Sequence, residues 1–501
     1  IESSYAASAT EHSGVLAWHY LCSGERSKAV SYLEGFGERL MSVYKYDQAI
    51  DVLEDCRRHV PREKGDAYRR VTKKLAELRA RIGDLDGATS LLDDLISSSE
   101  GNEKSALLAL KAQIVAEAGH IEAATELVRE CLTLPAEQQV VDRLTTLAAQ
   151  LCLRRQDLLG AKSCLEALGV PERLAPETGF DAASLWAGYL VGVGDFTAAK
   201  PWGERAVALA QKLGKAGLEF RSTRQLGLIH LLNGRVRAGH ALLRDVFDKA
   251  SQLDFAVAAV ESGVNLVHAA CLLGEIVEAE RVSKLMMGLT ESPFWIAHIR
   301  SNLSTISFER GDLATAEELA SQVLEAGIDS TSPAPRIAAR TLLARVRMAE
   351  RAWKLAEREL SLAEQDAGPI AGRRGLAMML RTYRGELAWR SGDWDSALTE
   401  ADLALEESQR VEKPAHIPAL RLKGTALCHL DRAEGLALLN DVSNMARVME
   451  MKLEEARTLV AIGTWSTGIS GAHLDRAEAL FRRCGSRQGL REISELEQST
   501  T

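Results

Sequence analysis

The chain repeats one pattern of apolar and polar positions along most of its length. An apolar helical stretch ends in a glycine or polar turn, and a small residue follows five positions later, as with Gly83 and Ala88. Thirteen such elbows occur, and their small residues are Ala29, Ala49, Ala88, Ala124, Ala161, Ala199, Gly239, Ala279, Ala316, Ala356, Ala397, Gly435 and Ala477. From the second to the last of them the intervals are 36 to 42 residues, which leaves room for two helices and two turns per unit.

The residue types at the elbow explain why each one predicts a helical hairpin. A glycine can take the left-handed conformation that ends a helix at little steric cost. The aspartate that follows at Asp84, Asp195, Asp312 and Asp393 can accept hydrogen bonds from the free N–H groups that open the next helix. The small residue lies one turn inside that second helix, where it allows the two helices to approach closely.

Stacking of these hairpins predicts an all-α solenoid, because each unit buries only one face and needs its neighbours to form a core. The whole chain, 1–501, is interpreted as one solenoid. Its longest breaks suggest arcs at 1–170, 171–330 and 331–485, followed by a terminal capping helix within 486–501. Proline is scarce, with 11 in 501 residues, and this scarcity favours long helices over loops.

Charge and cysteine content narrow the function classes. The net charge of −9 gives no field that would attract nucleic acid or an anionic membrane, so neither is expected as a partner. Eight cysteines occur without a C-x-x-C pair, which predicts reduced thiols in a cytoplasmic protein and no zinc site. No apolar run reaches the roughly 20 residues of a membrane span.

The elbows resemble the tetratricopeptide repeat, or TPR, whose hairpins carry a glycine at the turn and a small residue early in the second helix. Gly227 and Gly385 fall where that family places its inter-helix glycine, although the period here is near 39 and that of the family about 34. The resemblance implies a right-handed superhelical solenoid of about thirteen TPR-like hairpins, with the first helix of each lining the concave face.

Two further segments resemble the helical regions of multidomain bacterial signalling proteins. They are the opening 16–20 with Ser23-Gly24-Glu25, and the closing 473–481 with Cys484-Gly485. That group includes signal-transduction ATPases, serine/threonine kinases, adenylate cyclases and large transcriptional activators. The resemblance implies a sensor or scaffold whose catalytic domains lie upstream, and since residue 1 is Ile1 and not Met, a longer parent protein is expected.

No catalytic, cofactor-binding or metal-binding constellation is evident. The nearest approach to a phosphate-binding loop, at 213–216, lacks its first glycine and its hydroxyl, and neither H-E-x-x-H nor G-x-S-x-G occurs. A basic run from Arg57 to Arg81 is interleaved with acidic residues. It is interpreted as solvated surface, with a protein partner or a nucleic acid as alternatives.

Candidate binding residues follow from one stripe on the first helices, at offsets of 18, 15 and 11 residues before each elbow residue. The selected residues are Arg221, Arg224, His268, His298, Ser301, Thr305, Arg345, Glu386 and the nearby Trp389. Each has the alternative interpretation of a solvated groove wall, and His268 has the further one of a hydrogen-bonded core histidine. Arg221 and Arg224, three apart, suit a carboxylate or phosphate.

The leading hypothesis is therefore a non-catalytic sensor or scaffold module of a larger cytoplasmic signalling protein, a kinase or an ATPase. It would bind a protein, a peptide or a small effector in the concave groove. The alternative is a free-standing TPR-type peptide receptor or assembly adaptor, and a more distant one is an enzyme or an RNA-binding repeat protein. The sequence leaves the ligand and the oligomeric state open.

Overall fold

The fold is known from a computed structural model that describes residues 12–42, 46–60, 65–326, 333–368, 375–406, 413–465 and 470–500. The chain divides into two compact units, unit 1 at Ile1–Leu185 and unit 2 at Trp186–Thr501. The division falls inside a helix, and not at the predicted break at 170/171. The other predicted break, 330/331, lies outside the described residues, so the proposed arcs stay a prediction.

All regular structure in the described residues is helical, which confirms the predicted all-α class. The helices that begin in unit 1 are α1 Ser13–Cys22, α2 Arg26–Ser42, α3 Tyr46–His59, α4 Gly65–Arg81, α5 Leu85–Ser97, α6 Gly101–Glu117, α7 Ile121–Leu132, α8 Gln138–Arg154, α9 Leu158–Leu168 and α10 Pro176–Gly192, with a 3-10 turn at Pro171–Arg173. Those of unit 2 are α11 Phe196–Leu213, α12 Ala216–Leu232, α13 Val236–Gln252, α14 Ala256–Leu273, α15 Ile276–Met287, α16 Pro293–Glu309, α17 Leu313–Glu325, α18 Ala334–Ala349, α19 Trp353–Ala367, α20 Leu376–Ser391, α21 Trp394–Glu406, α22 Lys413–His429, α23 Glu434–Val448, α24 Lys452–Trp465, α25 Ser470–Cys484 and α26 Arg487–Thr500.

The elbow chemistry is confirmed in atomic detail. Asp84 accepts a hydrogen bond from the Gly87 N–H at 2.9 Å, and Asp195 accepts one from the Ala198 N–H at the same distance. The glycine before Asp84, Gly83, has a φ of +87°. Every alanine among the thirteen small residues is fully buried, as the close approach of two helices requires.

In the described residues the helices pair into twelve hairpins, in agreement with the expected number of about thirteen. Helix α2 follows the first elbow and precedes the second, so it cannot belong to two independent hairpins. Helix α1 thus stands before the first hairpin, α2–α3, and α26 stands after the last, α24–α25. A helix, α26, lies within the predicted range 486–501 and packs on α25 and on α16, and its capping role stays a prediction.

Within unit 2 the first helices of the hairpins form an inner layer. Each of α12, α14, α16, α18, α20, α22 and α24 contacts the next one in this series, in addition to the helices adjacent to it in sequence. This layer also closes on itself, because α12 contacts α22, α14 contacts α24, and α16 contacts α26. Five hairpins therefore complete one turn of the unit 2 solenoid.

One helix of this layer, α14, is long and apolar enough to cross a membrane, with 18 residues and a mean hydropathy of 1.6. Half of it is buried inside unit 2, where Leu266 and Val267 belong to the largest core cluster. Core helices of soluble proteins pass the same test of length and composition. The feature is therefore weak evidence for a membrane span.

Elbow glycines lie where successive turns of unit 2 meet. A Cβ atom at Gly274, where φ is +72°, would lie only 2.4 Å from the Sγ atom of Cys484. At Gly311 a Cβ would lie 3.2 Å from the Cβ of Arg487. Glycine at these elbows thus permits both the left-handed backbone and the close approach of the next turn.

We expect Gly274→Ala to destabilise unit 2 more than Gly214→Ala does. At Gly214, where φ is +62°, an added Cβ atom would face open space. The left-handed backbone should cost both variants about 1–2 kcal/mol, and the clash with Cys484 should add about 1–3 kcal/mol to the first. Urea denaturation followed by circular dichroism measures both free energies of unfolding. In a Cys484→Ala background the difference in stability between the two glycine variants should shrink. An unchanged difference would refute the close contact between position 274 and Cys484.

Candidate binding surface

The predicted stripe lies on the inner-layer helices of unit 2, and α12 carries its first two residues. Arg221 is exposed, whereas Arg224 forms an ion pair with Glu261 of α14 at 3.0 Å. Both members of that pair are about two-thirds buried or more. Glu261 thus neutralises the charge of Arg224.

His268 on α14 is exposed although Val267 and Ala269, its neighbours in the chain, are buried. Protein atoms surround the imidazole closely enough to lower the pKa of His268 by desolvation. Exposure combined with such surroundings is typical of a concave surface. The imidazole of His268 therefore lies at the surface and not in the hydrophobic core, and its role in binding stays a prediction.

Helix α16 continues the stripe with His298, Ser301 and Thr305. His298 is half-buried, its ring lies 4.7 Å from the ring of Phe294, and burial lowers its pKa. Ser301 is buried and donates a hydrogen bond to the Pro335 carbonyl oxygen at 3.3 Å, so it joins α16 to α18. Thr305 donates to the Ser301 carbonyl oxygen at 3.1 Å.

Arg345 and Glu386 occupy a different environment from the rest of the stripe. Arg345 lies 3.0 Å from Glu309, and its guanidinium group lies over the Phe308 ring. Glu386 accepts a hydrogen bond from Arg421 at 2.8 Å. Both predicted residues thus have intramolecular partners in this structure, and a ligand would have to compete with those partners. Their role in binding stays a prediction.

These ion pairs belong to one larger group, which we term the buried charge cluster. It consists of one charged residue from each of α16, α18, α20 and α22 and two from α24, namely Glu309, Arg345, Glu386, Arg421, Glu454 and Arg457. Arg421 contacts Glu454 at 3.2 Å, Arg457 contacts Glu454 at 2.7 Å, and Arg457 contacts Glu309 at 2.6 Å. Three acids and three bases therefore balance around one turn of the solenoid.

Electrostatics keeps the carboxylates of the cluster ionised. Burial alone would raise the pKa of Glu454, but Arg421 and Arg457 outweigh it and lower the pKa from its ordinary 4.5 to about 2. The same opposition of burial by arginines lowers the pKa of Glu309 and of Glu386. Ser486 adds a hydrogen bond to Glu309 at 3.1 Å.

Trp389, the last predicted site residue, packs partly against the core. Its ring is half-buried beside Ala397 and Leu422, and the Arg390 guanidinium lies 5.3 Å from the ring centroid. Arg390 also pairs with Glu492 of α26 at 3.1 Å. The structure therefore brings Trp389 near the contact between α20 and the C-terminal helix, and its binding role stays a prediction.

The basic run of unit 1 is largely neutralised by acidic residues of neighbouring hairpins. Arg70 forms a two-pronged ion pair with Glu34 at 2.7 and 2.9 Å, and Lys74 contacts the same carboxylate at 2.7 Å. Arg79 pairs with Glu54 of α3. Such pairing removes much of the positive charge that a phosphate backbone would attract.

The offsets of 18, 15 and 11 residues that define the stripe missed four members of the buried charge cluster, Glu309, Arg421, Glu454 and Arg457. Glu309 is four residues after Thr305, so it continues the same stripe by one more helical turn. A search that extended the offsets along each first helix would have found Glu309. It would still have had no means to pair Glu309 with Arg457, which is 148 residues away in the chain.

Comparisons with known proteins support the fold and identify no family. No family model matches the chain, and no curated protein matches it. Among solved structures, a Signal Transduction ATPase with Numerous Domains with a tetratricopeptide repeat sensor, PH0952 from Pyrococcus horikoshii, is similar with a TM-score of 0.50 and 15% identity. The match covers 69% of this chain and 52% of PH0952, so this chain spans about half the length of that protein.

Two further structures are similar over most of their length. The Cut9–Hcn1 hetero-tetramer of the APC/C matches with a TM-score of 0.49 and 14% identity, covering 98% of both chains. A Rap protein complexed with Competence and Sporulation Factor matches with a TM-score of 0.48 and 13% identity, covering 78% of this chain and 99% of that chain. The chain is an α-solenoid of TPR-like helical hairpins, as the elbows predict.

We expect acid to destabilise unit 2 through Glu454. Because its pKa is lower in the folded protein than in the unfolded chain, its stabilising contribution is complete above pH 4.5 and is lost as the pH falls towards about 2. Glu454→Gln should lower the free energy of unfolding at pH 7 by about 3–5 kcal/mol and make stability less dependent on pH in this range. Urea denaturation at a series of pH values measures both effects.

The matched control is Glu478→Gln, which removes one half of a more exposed ion pair with Arg482 on α25. That change should cost less than about 1 kcal/mol. Equal losses for the two variants would contradict the central role of the buried charge cluster.

Proposed function

We propose that this chain is a non-catalytic binding module that captures a polar peptide segment of a partner protein on the concave face of unit 2. The surface in question, which we term the polar recess, consists of Arg221, Arg224, Glu261, His268, His298 and Thr305 on α12, α14 and α16. The observation that carries the proposal is the exposed imidazole of His268 between buried neighbours on a helix of the inner layer.

The chemistry of the polar recess favours a peptide with hydrogen-bonding groups over an apolar helix. It contains the exposed residue Arg221, the ion pair of Arg224 with Glu261, and two imidazoles whose pKa values are lowered by desolvation. An apolar helix would require exposed Leu, Met or Phe side chains on that surface. Neutral imidazoles can both donate and accept hydrogen bonds, so backbone amides of an extended peptide are suitable partners.

The closed turn of unit 2 limits the width of a possible ligand. Cα atoms of α14 and α24, and of α16 and α26, approach within 8 Å of each other. A helix with its side chains is about 10–12 Å wide and would have to separate these pairs. An extended segment that lies along the polar recess avoids that cost.

We further propose that the module serves as the sensor or scaffold of a larger signalling protein, a kinase or an ATPase, in the cytoplasm. Support comes from the resemblance of the chain ends to such proteins and from PH0952, in which a TPR sensor belongs to a signal-transduction ATPase. A free-standing peptide receptor or adaptor is the alternative. Mapping the transcript upstream of the codon for Ile1 distinguishes them, because a kinase or P-loop reading frame supports the first and an adjacent start codon supports the second.

We expect the purified chain to hydrolyse no ATP and to phosphorylate no protein substrate, because it lacks a phosphate-binding loop and a catalytic cluster at the sequence level. Release of phosphate from ATP and transfer of labelled phosphate to a generic substrate are the measurements. An activity that co-elutes with the chain through a second purification would overturn the proposal of a non-catalytic module.

A charge swap tests the polar recess without removing its ion pair. In the double variant Arg224→Glu with Glu261→Arg the pair is retained and its orientation is reversed. If a ligand carboxylate contacts Arg224, affinity should fall by about tenfold or more, since charge-assisted hydrogen bonds contribute roughly 1.5–3 kcal/mol. Fluorescence anisotropy of peptides selected on the wild-type chain from a random library measures the affinity.

The control exchanges Lys249 and Asp245, an exposed ion pair on α13, in the same way. That swap should leave both peptide affinity and melting temperature unchanged. Peptides that bind the Arg224 and Glu261 swap as tightly as they bind the wild type would show that the binding surface lies elsewhere.

A further inference from the structure

A compact set of metal-ligand side chains lies outside the polar recess, where α13 faces the start of α15. His240 is almost wholly buried on α13, Glu275 is the residue before α15, and Glu278 is in its first turn. One ligand atom from each lies within 4.8 Å of the other two. The sequence predicts no metal site, because it contains neither a C-x-x-C pair nor an H-E-x-x-H motif, and these three residues match no other motif.

The distances between the three side chains fit a tetrahedral transition-metal site. The Nε2 atom of His240 lies 3.5 Å from Oε2 of Glu275 and 3.4 Å from Oε2 of Glu278. A zinc ion bound at 2.0–2.2 Å to each ligand places neighbouring ligand atoms roughly 3.3–3.6 Å apart. One imidazole with two carboxylates leaves a fourth position for water or for a group from a ligand.

The bonding state of these residues also suits a cation. The Oε1 atom of Glu278 is buried and has no hydrogen-bond partner. A divalent cation held between His240 and the two carboxylates would stabilise this buried oxygen. A neutral imidazole and a carboxylate are the forms that bind a metal.

A guanidinium group now supplies part of that positive charge. Arg244 forms a hydrogen bond with Oε2 of Glu278, and its Nη2 atom lies 3.4 Å from Nε2 of His240. Its side chain is 43% exposed and its Nε atom has no hydrogen-bond partner, so it can turn towards solvent when a metal ion displaces it from Glu278. Arg237 binds the other oxygen of Glu275 at 2.6 Å and leaves Oε2 facing His240.

We propose that His240, Glu275 and Glu278 bind one divalent transition-metal ion, with zinc as the best match, in competition with the guanidinium group of Arg244. Metal binding would join α13 to α15 close to the seam between turns, because Arg237 also pairs with Glu450 of the next turn at 3.1 Å. The competing arginine makes the site responsive to metal concentration. Neither Arg237 nor Glu450 acts as a ligand.

The experiment titrates the whole chain with Zn²⁺ by calorimetry and with Co²⁺ by visible absorption, and follows the melting temperature in parallel. One ion per chain should bind and raise the melting temperature, since it binds the folded state. His240→Ala and Glu278→Gln should weaken binding by at least about 100-fold. Arg244→Met should tighten it by at least about tenfold, because the competing charge-assisted hydrogen bond is gone.

The matched control is His59→Ala, since His59 faces a single carboxylate, that of Asp55, at 3.7 Å in unit 1. It should bind metal as the wild type does, and circular dichroism of every variant establishes that it is folded. Wild-type binding that equals that of His240→Ala would overturn the site, as would weaker binding by Arg244→Met. A Co²⁺ spectrum with thiolate charge-transfer bands would assign the ion to cysteines and would also overturn it.

Discussion

The burial of Glu309 is the constraint on which the rest of unit 2 depends. A carboxylate that is 95% buried at the end of α16 costs several kcal/mol unless cations compensate it. Arg345 from the next hairpin supplies one cation, and Arg457 from a hairpin almost a full turn later supplies the other. The solenoid therefore has to close its turn at α24, because Glu309 would otherwise lose half of its compensation.

Closure of the turn explains features that have no local cause. The glycine at 274 is required by its left-handed φ, and it also faces Cys484 of the following turn. The concave face is shortened as well, since Arg345 and Glu386 are engaged in the buried charge cluster. The polar recess proposed on α12, α14 and α16 consists of inner-layer residues that do not belong to the buried charge cluster.

The parts of this fold that could be predicted are those that local sequence determines. Gly83, Asp84 and Ala88 specify a helix end, a helix start and a close helix contact within six residues, so the elbow at this position follows from the sequence. The contact of Arg457 with Glu309 joins residues 148 apart, and no repeat period specifies which turn meets which. For the same reason, the sequence does not indicate that His240 lies beside Glu275 and Glu278.

In the candidate binding surface, too, helical spacing predicts which residues share a helix face but not which residues they contact. Helical spacing placed Arg224 and His268 on the inner layer, because offsets of three and four fix a helix face. Spacing alone could not indicate that Glu261 pairs with Arg224 while His268 stays exposed, since those outcomes depend on the neighbouring helix. The polar recess carries one formal positive charge more than it carries negative charges, and the buried charge cluster is neutral, so long-range attraction for charged ligands is weak. If the polar recess binds a peptide as proposed, its selectivity would come from hydrogen-bond geometry at short range, where one misplaced donor leaves a polar side chain of the recess unpaired.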